Sequence, residues 1–273
     1  MYPMNSQAKG RVLIIAGSDS GGGAGVQADI KTVTALGGYA MTAITAVTVQ
    51  NTQGVFGVHE IPPSIVADQI RVVMDDLGAD AIKTGMLGNV EIVEIVAAAL
   101  DAHARGVPAI VDPVMVAKGG AALLQEPAVE AVRTLMLPRA ALVTPNAPEA
   151  TRLTGIEIED VEGQKRAADA LLALGAKAAL VKGGHVAGPW VHDVLATPTG
   201  QRVFSSQRID TTATHGTGCT LASAIAAGVA QGMPLDAAVE WARLYLLQAI
   251  AAAPGFGKGH GPLGHNWPLK LQG

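Results

Sequence analysis

The chain's single cysteine lies in a run of small residues that has the composition of a phosphate-binding loop. The run is His215-Gly216-Thr217-Gly218-Cys219-Thr220, and the small residues that follow it favour a long helix. Glycines let consecutive backbone N–H groups point at one spot, and the positive end of a helix dipole attracts phosphate oxygens. We expect the same helix end to lower the pKa of Cys219. The alternative is that Cys219 is a small buried hydrophobic residue.

A second glycine-rich run, from Gly17 to Gly25, follows the first apolar segment and leads into a helical stretch that carries Asp29. Four of its last five residues are glycine, which is more than a plain tight turn requires. Dinucleotide-binding domains also have a glycine-rich first turn. Here, however, the spacing does not give Gly-x-Gly-x-x-Gly, and no acidic residue ends a second strand. The run favours a ligand-binding turn and gives only weak support to an NAD-dependent dehydrogenase.

Further polar residues come directly after other apolar segments. Gln50 has an amide that can read the edge of a heteroaromatic ring, or it is an ordinary loop residue. Met86 can pack on a flat ligand or fill the core. Asp112 and Glu149 offer the oxygen ligands that suit Mg²⁺; the alternatives are a solvated acid and an acid favoured by a helix N-terminus. Lys182 supplies a cation beside the phosphate-binding loop.

The elements that position these residues alternate between short apolar runs and helical stretches, which is typical of a parallel sheet covered by helices. Two shorter runs, Val191–Ala196 and Arg202–Ser205, predict an antiparallel hairpin at the sheet edge. Ligands of open α/β sheets bind at the carboxyl ends of the strands, so the polar residues should converge there. The predicted strands are Arg11–Ala16, Ala43–Val49, Ala79–Lys83, Ala109–Val111, Ala141–Val143 and Ala178–Val181. The predicted helices are Ala24–Leu36, Ser64–Leu77, Val90–Arg105, Ala128–Leu137, Val161–Leu174, Thr217–Gly232 and Leu235–Ala253.

Composition limits the classes of protein to which such a loop can belong. The 273 residues are 49% hydrophobic and 15% charged, which is enough for a sizeable core. No apolar run approaches the roughly 20 residues of a membrane span, and the first ten residues lack the core of a signal peptide. One cysteine cannot form an internal disulfide, and a net charge of −4 with 3% aromatic residues argues against nucleic acid as a partner. We expect a soluble cytoplasmic protein with no membrane or nucleic-acid partner.

Eight motifs in order resemble the hydroxymethylpyrimidine/phosphomethylpyrimidine kinase branch of the ribokinase-like superfamily, from Val12 to Gly261. They are AGSDSGGGAGVQADIKT, ITAVTVQNT, IKTGML, VDPVM, TPNAPEA, VKGGH, THGTGCT and GKGHGP. The resemblance implies a three-layer α/β/α fold. It also implies an enzyme of thiamine biosynthesis that uses ATP and Mg²⁺ to phosphorylate 4-amino-5-hydroxymethyl-2-methylpyrimidine and then its monophosphate. Many relatives in the wider superfamily carry Asp at the position of Cys219. Cysteine there is similar to the pyrimidine kinases and some pyridoxal kinases.

The resemblance implies roles for the residues around the transferred phosphate. Cys219 would accept the proton of the substrate's hydroxymethyl group, and Lys182 would lie near the transferring phosphates. Lys258, in the glycine-rich segment near the C-terminus, would contribute to the ATP site. The charge on the γ-phosphoryl group would be held by the backbone N–H groups of Gly216, Thr217, Gly218 and Cys219. Mg²⁺ or its waters would be organised by Asn146, Glu149 and Asp112.

For the acceptor, the resemblance implies that Gln50 reads the aminopyrimidine edge. The pocket around the ring would be shaped by Gly17, Ala24, Asp29, Met86 and Val114.

Two other functions stay open. Pyridoxal is also a flat heteroaromatic ring with a hydroxymethyl group, so the chain could be a pyridoxal kinase; Gln50 favours the aminopyrimidine. A non-catalytic ligand-binding or regulatory protein can share the fold, because fold does not fix function. The intact set of Cys219, Lys182, Asn146 and Glu149 argues against that alternative.

The expected organisation is one kinase domain over residues 11–265, between a flexible N-terminus of residues 1–10 and a C-terminal tail of residues 266–273. The family resemblance also implies a homodimer. Gly119 and Gly120, within the stretch Lys118 to Ala122, allow either the hinge of a mobile lid or a tight turn.

Overall fold

A computed structural model describes residues 9–115 and 126–268, in which nine strands form one sheet of order β3-β2-β1-β4-β5-β6-β7-β8-β9. The predicted lid stretch, the first eight residues of the predicted N-terminus and the last five of the predicted tail lie outside the described residues. The strands are Arg11–Asp19 (β1), Tyr39–Asn51 (β2), Gly54–Glu60 (β3), Ala81–Thr84 (β4), Ala109–Val111 (β5), Ala140–Val143 (β6), Ala179–Val181 (β7), Trp190–Thr197 (β8) and Gly200–Gln207 (β9).

The six inner strands, β2, β1, β4, β5, β6 and β7, run parallel to one another. β8 and β9 form the expected antiparallel hairpin at one edge. At the other edge β3 pairs antiparallel with β2, a pairing that the sequence analysis missed. The expectation of a mainly parallel sheet with an antiparallel edge is confirmed, and the sheet has a second such edge.

Eight α-helices of the described residues cover the sheet. Between α4 and β6 the chain continues as a π-helical turn, Val132–Met136, and a 3₁₀ turn, Leu137–Arg139, where one longer helix was expected. The helices are Gly25–Ala35 (α1), Pro63–Asp76 (α2), Val90–His103 (α3), Glu126–Ala131 (α4), Ala147–Thr154 (α5), Val161–Ala173 (α6), Thr217–Ala230 (α7) and Leu235–Ala251 (α8).

Two hydrophobic cores lie on the two faces of the sheet, and β1 contributes to both. Successive side chains of a strand point to opposite faces. Leu13 and Ile15 therefore join the core beneath α2 and α3, whereas Val12 and Ile14 join the core beneath α1, α7 and α8. The result is the expected three-layer α/β/α architecture. None of the helices in the described ranges is long and apolar enough to cross a membrane.

The topology places a crevice beside β1. From β1 the chain passes through α1 to β2 on one side, and α2 later carries it back across to β4 on the other side. In open α/β sheets such a reversal of strand order opens a crevice at the carboxyl ends of the strands. The N-terminus of α7 lies at this crevice, since α7 packs on β1, β4 and β5.

Candidate active site

A cavity of about 320 Å³ opens at the carboxyl ends of the parallel strands, beside the N-terminus of α7. Most of the site residues expected from the sequence lie in its wall. Asp29 and Lys258 are the two that do not. Those in the wall are Gly17, Ala24, Gln50, Met86, Asp112, Val114, Asn146, Glu149, Lys182, Gly216, Thr217, Gly218 and Cys219.

The helix end at this wall offers free backbone donors. Gly216 caps α7 in the left-handed conformation with φ 81°, and no side chain caps the helix. The first intrahelical bond runs from Thr220 N–H to Gly216 O, so the N–H groups before it have no acceptor in the helix. A Cβ on Gly218 would lie only 3.2 Å from Lys182 Nζ, so glycine lets the ammonium approach the helix end closely. This arrangement suits an anion.

The two glycine-rich runs interlock, which fixes the position of the helix end. A Cβ on Gly216 would lie 1.9 Å from the carbonyl oxygen of Gly23, an approach that only glycine permits. Asp19 joins the runs: its Oδ2 accepts from the N–H groups of Gly23 and Ala24 and from His215 Nε2, at 3.0, 2.8 and 2.8 Å. The glycine-rich run after β1 and the phosphate-binding loop are therefore bonded to each other through Asp19.

Asp19 is held as a carboxylate in this network. Burial alone would raise its pKa, but the bonds from His215 and from the N–H groups of Ala24 and Gly21 outweigh burial and hold the pKa below its usual value. The sequence analysis did not select Asp19 or His215. Each is a polar residue within a glycine-rich run, and that position could have marked both as candidate site residues.

The cation at the helix end comes from β7. Lys182 Nζ donates to Asp112 Oδ1 at 2.8 Å, and Thr144 Oγ1 donates to the same oxygen at 3.0 Å. Burial would lower the pKa of Lys182, but the charges of Asp112 and Glu149 outweigh burial and raise it. Lys182 is therefore a charged ammonium beside the N-terminus of α7, where it can neutralise phosphate.

Asn146 and Glu149 form a capping box at the start of α5. Asn146 N–H donates to Glu149 Oε2 at 2.8 Å, and Glu149 N–H donates to Asn146 Oδ1 at 2.9 Å. Burial, and then the nearby charge of Asp112, raise the pKa of Glu149 to about 7, while Lys182 opposes the shift. Glu149 is therefore an acid at a helix N-terminus, which was the alternative to a magnesium ligand. Its side chain also lies in the cavity wall, so the two roles are compatible.

The donor set fits a magnesium ion that keeps several waters. Within residues 9–115 and 126–268, no group of three His, Cys, Asp or Glu side chains forms a protein-only metal cage. Asp112 and Glu149 do place two carboxylates beside the end of α7. Mg²⁺ is commonly held by one or two carboxylates, waters and substrate phosphates, and these two residues match that pattern.

The expectation that the helix end lowers the pKa of Cys219 is wrong. Burial, together with the carboxylates of Asp29 and Asp112, raises its pKa to about 11, against the opposing charge of Lys83 and a hydrogen bond from Gly25 N–H. Cys219 as a residue is half-buried and lies in the cavity wall, so it is not an ordinary core residue. In the ligand-free protein Cys219 is a neutral thiol.

Asp29 does not reach the cavity. It is fully buried beneath the wall, where its Oδ2 accepts from Lys83 Nζ at 2.8 Å and its Oδ1 accepts from Ser223 Oγ at 2.7 Å. Its place in the wall is taken by Lys83, which the sequence analysis did not select. The sequence of α1 alone does not show that Asp29 pairs with a buried lysine on β4.

Lys258 is exposed and does not lie in the wall of this cavity. Its loop is bound elsewhere: His260 N–H donates to Thr52 O at 2.9 Å, and Gly259 N–H donates to Thr52 Oγ1 at 3.3 Å. The loop is therefore tied to the turn between β2 and β3.

Gln50 and Met86 form one end of the cavity. Thr48 Oγ1 lies 2.9 Å from Gln50 Oε1, and the Gln50 backbone N–H is held by Ser20 Oγ at 2.9 Å. Met86 packs over Gly17, where a Cβ would lie 2.5 Å from its Cε. The amide of Gln50 and the thioether of Met86 line the same cavity, and this combination suits a flat polar ring.

A second cavity, of about 250 Å³, meets the first at the end of α7. Both walls contain Asn146, Lys182, Thr217 and Gly218. The rest of the second wall comes from β8, β9, α7, α8 and the loops that follow β7 and β9. It contains a buried ion pair, Arg243 with Asp193 at 2.7 Å, and several apolar side chains. Those apolar side chains are Val191, Ile209, Leu221, Leu246, Leu247 and Ile250. The sequence analysis did not find this cavity, because apolar residues on a helix do not differ from core residues.

Comparisons with known proteins agree with this geometry. The family model for phosphomethylpyrimidine kinase matches residues 19–264. The hydroxymethylpyrimidine/phosphomethylpyrimidine kinase of Streptomyces coelicolor is 50% identical over 94% of this chain and 95% of its own length. The thiamine biosynthesis bifunctional protein ThiED of Geobacter sulfurreducens is 50% identical over 94% of this chain, which spans 52% of that longer protein.

Among solved structures, an ADP complex of Bacillus subtilis pyridoxal kinase superposes with a TM-score of 0.89 at 35% identity, covering 96% of this chain and 99% of that one. The chain therefore belongs to the phosphomethylpyrimidine kinase family, with the ribokinase-like fold that its sequence motifs indicate.

Proposed function

We propose that this protein transfers the γ-phosphoryl group of ATP to 4-amino-5-hydroxymethyl-2-methylpyrimidine and then to its monophosphate, in thiamine biosynthesis. The observation that carries the proposal is the position of Gly218 and Lys182 in the walls of both cavities. A phosphoryl group at the end of α7 can face an acceptor in one cavity and a nucleotide in the other. Family membership and the 50% identity to a kinase of this name support the same reaction.

The first cavity is the acceptor site in this proposal. Gln50 offers one donor and one acceptor to the aminopyrimidine edge, and Met86 and Val114 contact the ring faces. Cys219 and Gly218, in the opposite part of the wall, receive the hydroxymethyl group.

The second cavity is the nucleotide site. Its apolar side chains on α8 suit a nucleobase, and its open end at Lys182 and Gly218 suits the phosphates. The solved relative in complex with ADP supports a nucleotide ligand for this fold. Mg²⁺, held by Glu149 and Asp112 through its waters, would neutralise phosphate charge when bound.

In the first transfer the hydroxymethyl oxygen, and in the second an oxygen of the monophosphate, forms a bond to the γ-phosphorus while the bond from that phosphorus to the ADP oxygen breaks. The N–H groups of Gly218 and Cys219 and the Lys182 ammonium stabilise charge on the transferred group. The neutral Cys219 thiol first releases its own proton to solvent, and in the first transfer the O–H proton of the hydroxymethyl group passes to the resulting thiolate. Phosphoryl transfer depends mainly on position and electrostatics, so the chain's main contribution is to align the two ligands.

Pyridoxal is a second candidate acceptor, because a solved pyridoxal kinase superposes with a TM-score of 0.89. We propose to separate the two by mass spectrometry of the products formed from ATP, Mg²⁺ and equal amounts of the hydroxymethylpyrimidine, its monophosphate and pyridoxal. Conversion of the pyrimidine to its mono- and diphosphate supports the proposal. Phosphorylation of pyridoxal alone overturns it in favour of the second candidate, and no product at all indicates a binding or regulatory protein.

A matched variant sharpens this experiment. Gln50→Leu keeps the size of the side chain but removes the amide from the cavity wall. If Gln50 reads the aminopyrimidine, the variant loses kcat/KM for the pyrimidine by about 10–100-fold, as loss of one or two hydrogen bonds predicts. An equal loss for every acceptor would contradict a selective role.

We further propose that one domain over residues 11–265 carries this activity, that two copies of the chain associate, and that the protein works in the cytoplasm. All nine strands of the described residues join one sheet, which supports the single domain. The edge formed by β2 and β3 exposes Val49, Phe56 and Val58 by 64%, 69% and 50%, which supports an interface there. A single cysteine, which cannot close an internal disulfide, fits a reducing compartment.

A further inference from the structure

Two helices meet beneath the acceptor cavity through a pair of matched contacts. Gly25 and Asp29 lie one turn apart on α1, and Cys219 and Ser223 lie one turn apart on α7. Ser223 Oγ donates to Asp29 Oδ1 at 2.7 Å, and one turn earlier on each helix the Gly25 N–H acts on the Cys219 thiol, whose pKa it lowers. The position of the thiol is therefore tied to the position of Asp29.

Asp29 in turn holds a cation that belongs to a third element. Lys83, at the end of β4, is 0% exposed, and its Nζ donates to Asp29 Oδ2 at 2.8 Å. Lys83 and Cys219 share the wall of the acceptor cavity. A buried ion pair stabilises a fold no better than apolar side chains of similar size, so stability alone does not account for this pair.

We propose that Lys83, oriented by Asp29 and Ser223, is the positioning residue for Cys219. Its ammonium stabilises the thiolate to which the substrate hydroxyl gives its proton, and Asp29 limits that stabilisation. The role in phosphoryl transfer rests on the proposed function; the effect on the thiol does not.

The charged groups around Cys219 explain why Lys83 is the group to test. Two are lysines: Lys83 on β4 and Lys182 directly after β7. Two are aspartates: Asp29 on α1 and Asp112 directly after β5. In the loop of Cys219 itself, His215 is bonded to Asp19 of β1. Each lysine is paired with one aspartate, and Glu149 of α5 adds a further acidic group beside Lys182, so the thiol lies between two ion pairs. Lys182 borders both cavities, whereas Lys83 borders the acceptor cavity only.

The test uses the rate at which iodoacetamide alkylates the protein as a function of pH, without substrate. Cys219 is the single cysteine of the chain, so total alkylation reports this thiol alone. Alkylation needs the thiolate, and below the midpoint each unit of pKa changes the rate about tenfold. Lys83→Met should slow alkylation at pH 8 by about tenfold or more. Asp29→Asn should speed it by a similar factor, because the ammonium then has no carboxylate partner.

Two further variants keep the outcome clear. The double variant Lys83→Met/Asp29→Asn removes both charges and should fold even if Lys83→Met does not, and its alkylation rate should lie well below that of Asp29→Asn. Lys165→Met removes an ammonium from an exposed pair with Glu162 on α6 and should leave the rate unchanged. The proposal is overturned if the two single substitutions shift the rate in the same direction, if Asp29→Asn has no effect, or if the double variant matches Asp29→Asn.

Activity provides a second readout. The pH at which kcat is half-maximal should move in the same direction as the alkylation midpoint in Asp29→Asn, with the KM for ATP unchanged. A protein that alkylates as expected but phosphorylates none of the three acceptors would contradict the proposed function and leave the Lys83 inference standing. A changed KM for ATP with an unchanged alkylation midpoint would overturn the inference.

Discussion

At the end of α7, one thiol lies between two lysine–aspartate pairs. Lys83 is paired with Asp29 beneath it, and Lys182 is paired with Asp112 beside it. Burial keeps the thiol neutral in the ligand-free protein, because it raises the pKa of Cys219 to about 11. A neutral thiol is a poor nucleophile at neutral pH. The proposed role of Cys219 as a base therefore requires that the reacting ligands alter the balance of charge around it.

Replacement of the thiol tests its role directly. If Cys219 takes the substrate proton, Cys219→Ser should lower kcat by about 10²–10⁴, the usual contribution of a general base. Folding stability should change little, since the hydroxyl is nearly the same size. The measurement is kcat alongside the thermal midpoint. Turnover close to that of the unsubstituted enzyme would reject the role.

Site residues could be chosen from the sequence when they follow a strand, because topology fixes where strand ends meet. That reasoning placed Asp112, Asn146 and Lys182 at one cavity. It did not give the depth of a residue below the cavity. Asp29 is fully buried beneath the wall. The expected direction of the Cys219 pKa shift was wrong, because burial and carboxylates that other elements supply raise that pKa.

The contact between the two glycine-rich runs makes an element-scale prediction. Gly216 and Gly37 both have φ +81°, but a Cβ on Gly216 meets the Gly23 carbonyl whereas a Cβ on Gly37 meets nothing within 4 Å. Gly37→Ala should cost about 1–2 kcal/mol, the strain of the left-handed conformation alone. Gly216→Ala should cost clearly more and should lower kcat about 10²-fold, because the helix end shifts from the phosphate.

The two alanine variants are compared by urea unfolding and by kcat. Equal losses of stability in both would show that the loops separate without cost, which contradicts the interlocked arrangement. Gly37→Ala is the matched control, and its kcat should stay within about twofold of the original enzyme.

The segment after α8 predicts a dependence of stability on pH. His265 is buried with its Nε2 2.9 Å from Thr220 Oγ1, and burial, aided by the charge of Lys31, lowers its pKa to about 4. The unfolded chain binds a proton near pH 6.5 and the folded one only near pH 4. The contribution of neutral His265 to the free energy of unfolding is therefore fully present above pH 6.5 and is lost as the pH falls from 6.5 towards 4.

His265→Gln should remove that loss. Between pH 7.5 and pH 4.5 the original protein should lose up to about 3 kcal/mol more unfolding free energy than the variant, as the lowered pKa requires. Urea titrations at a series of pH values measure the difference. Parallel stability curves would show that His265 is protonated in the folded protein as easily as in the unfolded chain.

Most elements could be predicted from hydrophobic periodicity, and those that were missed share a physical reason. β3 contains two glycines and mostly exposed residues, so it lacks the alternation of a half-buried strand. α5 has only eight residues and follows Pro145, with a second proline at its first turn. It is stabilised by the capping box of Asn146 and Glu149 and by packing on α6, which a periodicity search does not detect.

For the whole molecule, the fold class could be predicted because alternating strands and helices permit few topologies. The two edges of the sheet could not be predicted equally well. The edge formed by β8 and β9 has a clear hairpin pattern, whereas the β2–β3 edge carries exposed apolar residues that suit a partner surface. A β-edge of this kind is a site where chains associate.

The proposed dimer predicts the effect of charge on that edge. Phe56→Lys with Val58→Lys introduces two positive charges where the side chains are 69% and 50% exposed, so it should convert a dimer to a monomer. Sedimentation equilibrium measures the mass. Leu244→Lys on α8, where the side chain is 60% exposed, is the control and should leave the assembly intact. A protein that sediments as a monomer before any substitution contradicts the dimer.

The wall that the two cavities share at Lys182 and Gly218 has a consequence for inhibitor chemistry. One molecule that joins an aminopyrimidine to a nucleoside through a short anionic bridge would fill both cavities at once. Its second half would bind intramolecularly, so its affinity should exceed that of either half by about 10²–10⁴ when the bridge fits. In a series of such compounds, the bridge length that binds most tightly would measure the separation of donor and acceptor in solution.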